Sequence, residues 1–160
     1  MRGVMTLAAF ALLLLAARPP AQRTASSIAI VGDWRLDLAR TRYGPSVDRR
    51  RSERFACVAA ANTVRCTIRG VRTDGREVNG RFAATVDGGI TTVSGLPDID
   101  AVRLTRSGDA IVDGTFYARG TAVFGYRAMQ SQDGNSLMII PVDPVTRAVL
   151  TTVVVYDRRR

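Results

Sequence analysis

The side chains that could do chemistry in this 160-residue chain are few, and they lack the partners that chemistry needs. Histidine is absent, and every one of the 23 Lys+Arg cations is arginine. A serine or threonine nucleophile therefore has no imidazole or amine base. Histidine ligation of a metal or of haem, Schiff-base chemistry and a phosphate-loop lysine are excluded as well. Glu53 and Glu77 are the only glutamates. Asp74, Asp87, Asp113 and Asp133 each precede glycine, where a turn or bulge role explains them. Asp98, Asp100 and Asp109 lack the oxygen-ligand spacing of a calcium loop. The expectation is no enzyme, no metal and no cofactor. What remains is two cysteines, an arginine excess giving a formal charge of +9, and the apolar side chains.

Cys57 and Cys66 sit either side of Ala61-Asn62. With that dipeptide as a hairpin tip, the two face each other and a disulfide closes a short ring; two buried thiols are the alternative. They are too far apart in sequence for the C-x-x-C spacing of redox catalysis. A disulfide suits an exported chain, and so does the beginning of this one. Arg2 precedes an apolar run over residues 4–17, too short for a membrane-spanning helix but right for a secretory signal. We read residues 1–21 as a signal peptide, cleaved after Ala17 or Ala21, with an uncleaved anchor as the other reading. The expected location is periplasmic or extracellular, with no stable membrane span after cleavage. Residues 22–30 read as a short tail, 31–157 as the domain, and 158–160 as a basic tail.

The elements that must position these residues are strands. Val64, Cys66 and Ile68 alternate with Thr63, Arg65 and Thr67. Phe82, Ala84 and Val86 alternate with Arg81, Ala83 and Thr85, a period of two with one apolar face. Turn signals at Asp74-Gly75, Asp87-Gly88-Gly89, Gly108-Asp109, Arg119-Gly120 and Asp133-Gly134 separate such segments. Gly114 reads as a bulge or kink, and residues 148–156 as one closing strand. No mature segment has helical periodicity. About eight to ten short strands with tight connections predict an all-β, antiparallel, up-and-down barrel, because closure removes exposed edges. A β-sandwich is the rival.

Val31-Gly32-Asp33-Trp34-Arg35-Leu36-Asp37-Leu38-Ala39-Arg40-Thr41-Arg42-Tyr43 resembles the opening of a family of small exported, lipocalin-like bacterial proteins. The likeness continues through residues 70–78, 93–98, 131–134 and 153–157. It implies a lipocalin/calycin-like barrel and no known activity. Gly32-x-Trp34 is similar to the lipocalin opening signature, in which the tryptophan plugs the closed end beneath an arginine; here Arg127 or Arg158 would cover Trp34. Fatty-acid-binding barrels hold a carboxylate with an Arg-x-Tyr pair on the last strand, and this chain has none there.

Alternation gives the barrel lining as Phe82, Leu104, Phe116, Phe124, Tyr126 and Met138, with Phe55, Ile68, Leu150 and Val154. Such a lining either fills the barrel or surrounds a cavity for a small apolar molecule. The arginine runs at 49–54 and 158–160 offer a second reading, an interaction module for anionic envelope components, since the guanidinium fork matches phosphate. A solvated strand edge is the preferred reading of those runs. They carry no interleaved aromatics, and nucleic acid is not an expected partner.

Overall fold

Alternation of apolar and polar residues makes a strand with one buried face, and most of the ten strands among the described residues are built this way. The structure is a computed structural model, and it describes residues 28–45 and 49–159. The signal-peptide expectation falls on residues outside these. The strands are β1 (Gly32–Leu36), β2 (Arg50–Ala60), β3 (Thr63–Arg72), β4 (Glu77–Thr85), β5 (Asp87–Ser94), β6 (Ala101–Gly108), β7 (Ile111–Ala118), β8 (Thr121–Gln130), β9 (Ser136–Val142) and β10 (Val154–Arg158). Each pairs antiparallel with the next, and β10 pairs back onto β1. The result is a closed ten-stranded up-and-down barrel of lipocalin/calycin-like type, with no sheet edge left open.

The interior is apolar and the outer wall is charged. Val64, Cys66 and Ile68 point inward on β3, while Arg65, Thr67 and Arg69 point out. This is the reverse of a membrane-spanning barrel, whose outer face is an apolar band. Among the described residues no helix is long and apolar enough to cross a membrane.

One end of the barrel is shut. Ile28, Ala29 and Ile30, which the sequence suggested were tail, are buried across it. Trp34 is completely buried, and its indole Nε1 donates to the Ile30 carbonyl at 2.9 Å. The Arg158 guanidinium lies 4.3 Å from the Trp34 ring centre, and its Nε donates to the Gly134 carbonyl. Arg158 is therefore the covering arginine and the last residue of β10, not part of a solvated tail. Arg127 instead pairs with Asp113 on the outer wall. Gly32 has a φ of 150°, and a Cβ there would lie 2.7 Å from Arg158 Nη1 and 3.0 Å from the Trp34 ring. The Gly-x-Trp motif is thus a packing requirement of the Trp34–Arg158 stack. Above it, Val64, Val102, Leu104, Val112, Ala128 and Leu137 are fully buried and fill the lower half of the barrel.

Asp87-Gly88 lies at the centre of the β4–β5 register, so the chain turns there as expected, and the β5–β6 ladder is irregular between Asp87 and Ile90. Two expectations change. Gly114 is a regular ladder residue of β7, and the bulge lies between Phe116 and Tyr117. Residues 148–153 form part of a loop, because β1 extends no further than Leu36 and offers β10 no ladder partner beyond it. That loop is held by the segment after β1: Arg42 bridges Val153, and Thr152 Oγ1 accepts from the Gly44 N–H at 2.8 Å.

Cys57 and Cys66 are directly paired in the β2–β3 ladder and form a disulfide, with Cα atoms 4.2 Å apart. Closing a ring of this length restricts the unfolded chain by about 2.5–3 kcal/mol. A Cys57→Ala/Cys66→Ala double variant is expected to lose about that much in denaturant unfolding. An unmoved midpoint would contradict it.

Candidate functional site

Above the packed half, the barrel is hollow. A cavity of about 520 Å³ occupies the end opposite Trp34, beneath the loops joining β1 to β2, β5 to β6 and β9 to β10. That volume is in the range of small-ligand sites, roughly 300–1,000 Å³. Inward positions of the strands supply the walls: Phe55 and Ile68 on one side, Phe116, Phe124 and Tyr126 on another, Ile139, Val154 and Tyr156 on a third. Tyr43, Leu96, Ile99 and Leu150 reach over from the loops.

The aromatic wall is one packed unit. Phe116 stacks on Phe124 at 6.3 Å between ring centres, lies 5.7 Å from Tyr126, and meets Phe82 edge-on at 6.2 Å. Gly114 makes room for this group. A Cβ on Gly114 would lie 2.2 Å from Cζ of Tyr126. Gly114→Ala therefore has to push the Tyr126 ring toward the cavity. We expect a stability loss of about 1–3 kcal/mol together with weaker uptake of an apolar probe. A neutral substitution by both measures would refute the close contact.

Of the expected lining residues, Phe116, Phe124 and Tyr126 face the cavity, as do Phe55, Ile68, Leu150 and Val154. Phe82 points inward but sits behind Phe116 and is buried in the core. Leu104 lies in the packed half. Met138 is a correction: Leu137 and the half-buried Ile139 face inward, and Met138 is on the outer wall, 38% exposed. All four residues from Leu137 to Ile140 are apolar, so alternation alone could not choose the face.

The cavity also has a polar corner, where β2 and β3 reach the open end. Glu53 shares the inward face of β2 with Phe55 and Cys57 and is buried. Its Oε1 accepts a hydrogen bond from the Tyr156 hydroxyl at 2.5 Å, and its Oε2 forms an ion pair with the Arg50 guanidinium. A buried carboxylate requires such partners. Simple alternation would send Arg50 outward. One extra residue, Arg51, is inserted between the Arg50–Arg72 and Ser52–Val71 pairs, and this bulge turns Arg50 to the inner side, opposite Arg72. Both arginines line the cavity. Burial pushes the Tyr156 and Tyr126 hydroxyls above the usual phenol range, so both remain neutral donors at ordinary pH.

Sequence reasoning missed Arg50, Glu53, Arg72, Tyr43 and Tyr156 as site residues. The signal for Glu53 and Arg72 was present, since two-residue steps from Cys57 and Cys66 lead to each of them. The bulge that redirects Arg50 has no such signature.

The outer wall carries a second feature. Arg35 faces Arg54, and Arg54 faces Arg69, in register across β1, β2 and β3. Asp33 takes Arg54 through a two-point contact, Nε to Oδ1 at 2.8 Å and Nη2 to Oδ2 at 2.5 Å. That pairing holds the Asp33 carboxyl below the usual carboxylate range. Among the described residues, no group of three or more His, Cys, Asp or Glu side chains is placed to hold a metal ion. Compared with known proteins, the chain matches no family model, no curated protein and no solved structure.

Proposed function

We propose that this protein is an exported binding protein that takes up a small, largely apolar molecule at the open end of its barrel. The observation that carries this reading is the division of the interior. Seven fully buried side chains, Trp34, Val64, Val102, Leu104, Val112, Ala128 and Leu137, fill one half, while the other half keeps about 520 Å³ walled by aromatic and aliphatic groups. A barrel needing only a core would fill both halves, because an empty apolar cavity forgoes dispersion contacts. Export is supported by the apolar run at 4–17 and by the Cys57–Cys66 disulfide. The resemblance to small exported lipocalin-like proteins agrees with it. The Tyr156 hydroxyl meets the Glu53 carboxylate in the cavity, but burial keeps that phenol neutral and Arg50 takes up the carboxylate, which supports binding over catalysis.

Native mass spectrometry of protein purified from its own host, then incubated with that host's lipid extract, tests this. A discrete added mass on the folded, disulfide-bonded chain is the expected result. The bare polypeptide mass under both conditions would count against it.

The in-register row Arg35–Arg54–Arg69 supports a second reading, an outer-wall contact with anionic envelope components. Like charges directly opposite in a ladder repel, and a bound polyanion would relieve that.

A further inference from the structure

We propose that the outer wall of the barrel binds a linear, carboxylate-bearing polysaccharide, which lies across β1 to β4 in a groove lined by arginine. This rests on the second reading above, an anionic contact on the outer wall, and it adds the partner's shape and chemistry.

Unanswered charge gathers on one side of the barrel. Arg35, Arg54 and Arg69 form the in-register row across β1, β2 and β3, with Arg51 further along β2 and Arg65 further along β3. All five are exposed. Arg54 is paired with Asp33, whereas Arg35, Arg51, Arg65 and Arg69 make no ion pair among the described residues. The nearby acids are engaged elsewhere, since Arg40 takes both Asp37 and Asp157, which leaves Glu77 at the start of β4. The opposite wall differs. Arg127 and Arg147 share Asp113 there, and Arg103 lies 5.6 Å from the Tyr117 ring centre. An arginine-rich composition by itself gives no reason for the unpaired cations to gather on one side. Like charges held opposite each other in a ladder are unfavourable, and a bound anion relieves that.

The shape of this wall suits a chain. Two grooves, of about 1100 and 930 Å³, run over it and meet at Arg54. Arg35, Arg51, Arg69 and Arg159 line the first, and Arg65 and Arg81 line the second. These residues stand on β1 to β4 and, for Arg159, just beyond β10, so they spread over half of the ten-stranded ring. A planar lipid surface cannot touch all of them at once, whereas a flexible chain can follow the curve.

The side chains between the arginines indicate which chain. Ser52 and Asn79 in the first groove, and Thr67 and Thr92 in the second, are exposed, uncharged and able to hydrogen-bond. Such groups meet sugar hydroxyls, while the guanidinium forks match carboxylates. Phe82 is the one aromatic along either groove among the described residues, and it points into the barrel. The outward stacking surface on which single-stranded nucleic acid lays its bases is therefore missing.

Anisotropy of a fluorescein-labelled oligogalacturonate, titrated with the disulfide-bonded chain at several salt concentrations, tests the inference. An oligothymidylate of equal charge and vesicles of phosphatidylglycerol with phosphatidylcholine are run beside it. The expected result is saturable binding of the oligogalacturonate, tighter than either comparison at the same salt. Arg35→Gln/Arg69→Gln should weaken it about tenfold and lower its salt dependence by about two ions. Arg103→Gln, on the opposite wall, should leave it unchanged. Asn79→Ala should weaken the oligogalacturonate about threefold and leave the oligothymidylate unmoved. Arg51→Gln/Arg65→Gln reads the same face if the first pair fails to fold. Binding of the oligothymidylate or the vesicles as tight as that of the oligogalacturonate overturns the polysaccharide while leaving an anionic outer-wall contact standing. Failure to bind any of the three, or binding undiminished in both arginine double variants, overturns both.

Discussion

Truncating Trp34 to alanine is expected to remove about 3–5 kcal/mol of stability, a large share of the roughly 5–15 kcal/mol available to a domain. Trp34 is fully buried, so the substitution leaves a void the size of an indole at the shut end of the barrel. Two further contacts go with it. The Ile30 carbonyl loses the indole N–H that satisfies it, and the Arg158 guanidinium loses the ring 4.3 Å away. Arg158 also holds the 131–135 turn through Gly134, so the loss should spread from β1 to the β8–β9 connection. Trp34→Phe keeps a ring beneath Arg158 and should cost less, the main penalty being the unpaired Ile30 carbonyl at about 1–3 kcal/mol. Trp34 is the only tryptophan, so circular dichroism in denaturant must follow the variants. A loss below about 1 kcal/mol for Trp34→Ala would contradict the picture of a closed end organised on this residue.

Leu104→Ala and Phe124→Ala should separate the two halves of the interior. Leu104 is fully buried among Val102, Val112 and their neighbours, and its truncation should cost about 2–5 kcal/mol. The larger Phe124 ring faces the cavity and already lacks neighbours on one side, although it stacks on Phe116. Its truncation should cost less than about 2 kcal/mol, below the ordinary range for a core phenylalanine. Uptake of an apolar probe should respond in the opposite order, weakened in Phe124→Ala and little changed in Leu104→Ala. A phenylalanine loss as large as the leucine loss would mean that the upper half is also packed.

The fold was legible because most strands expose one face and bury the other. Cys57 and Cys66 emerge as ladder partners from the position of a two-residue tip, and Phe116, Phe124 and Tyr126 emerge as inward from simple alternation. Alternation fails in three physical circumstances here. At Met138 both faces of the strand are apolar, so the pattern has no phase. At Arg50 a bulge shifts the phase by one residue, and a bulge is chosen by the ladder rather than by local composition. At 148–153 the residues favour strand, but the short β1 leaves them without a partner, and tertiary pairing overrides propensity. Ile28 and Ile30 were misread for a related reason: three residues are too few to show a period, although their apolar character is what lets them seal the barrel. Glu53 was on the inner face by parity, and only its charge argued otherwise. Burial of such a residue depends on a partner from a distant strand, here Tyr156, which no local window contains.

Fluorescence titration of the wild-type protein with N-phenyl-1-naphthylamine, beside an Ile139→Trp variant, tests the hollow upper half most directly. Ile139 is half-buried and faces the cavity, so an indole at this position occupies the space a ligand would take. The account predicts one saturable, blue-shifted site per wild-type chain, abolished in Ile139→Trp while the disulfide and the β-sheet circular dichroism are retained. No enhancement in the wild type, or an equal enhancement in the variant, would contradict it.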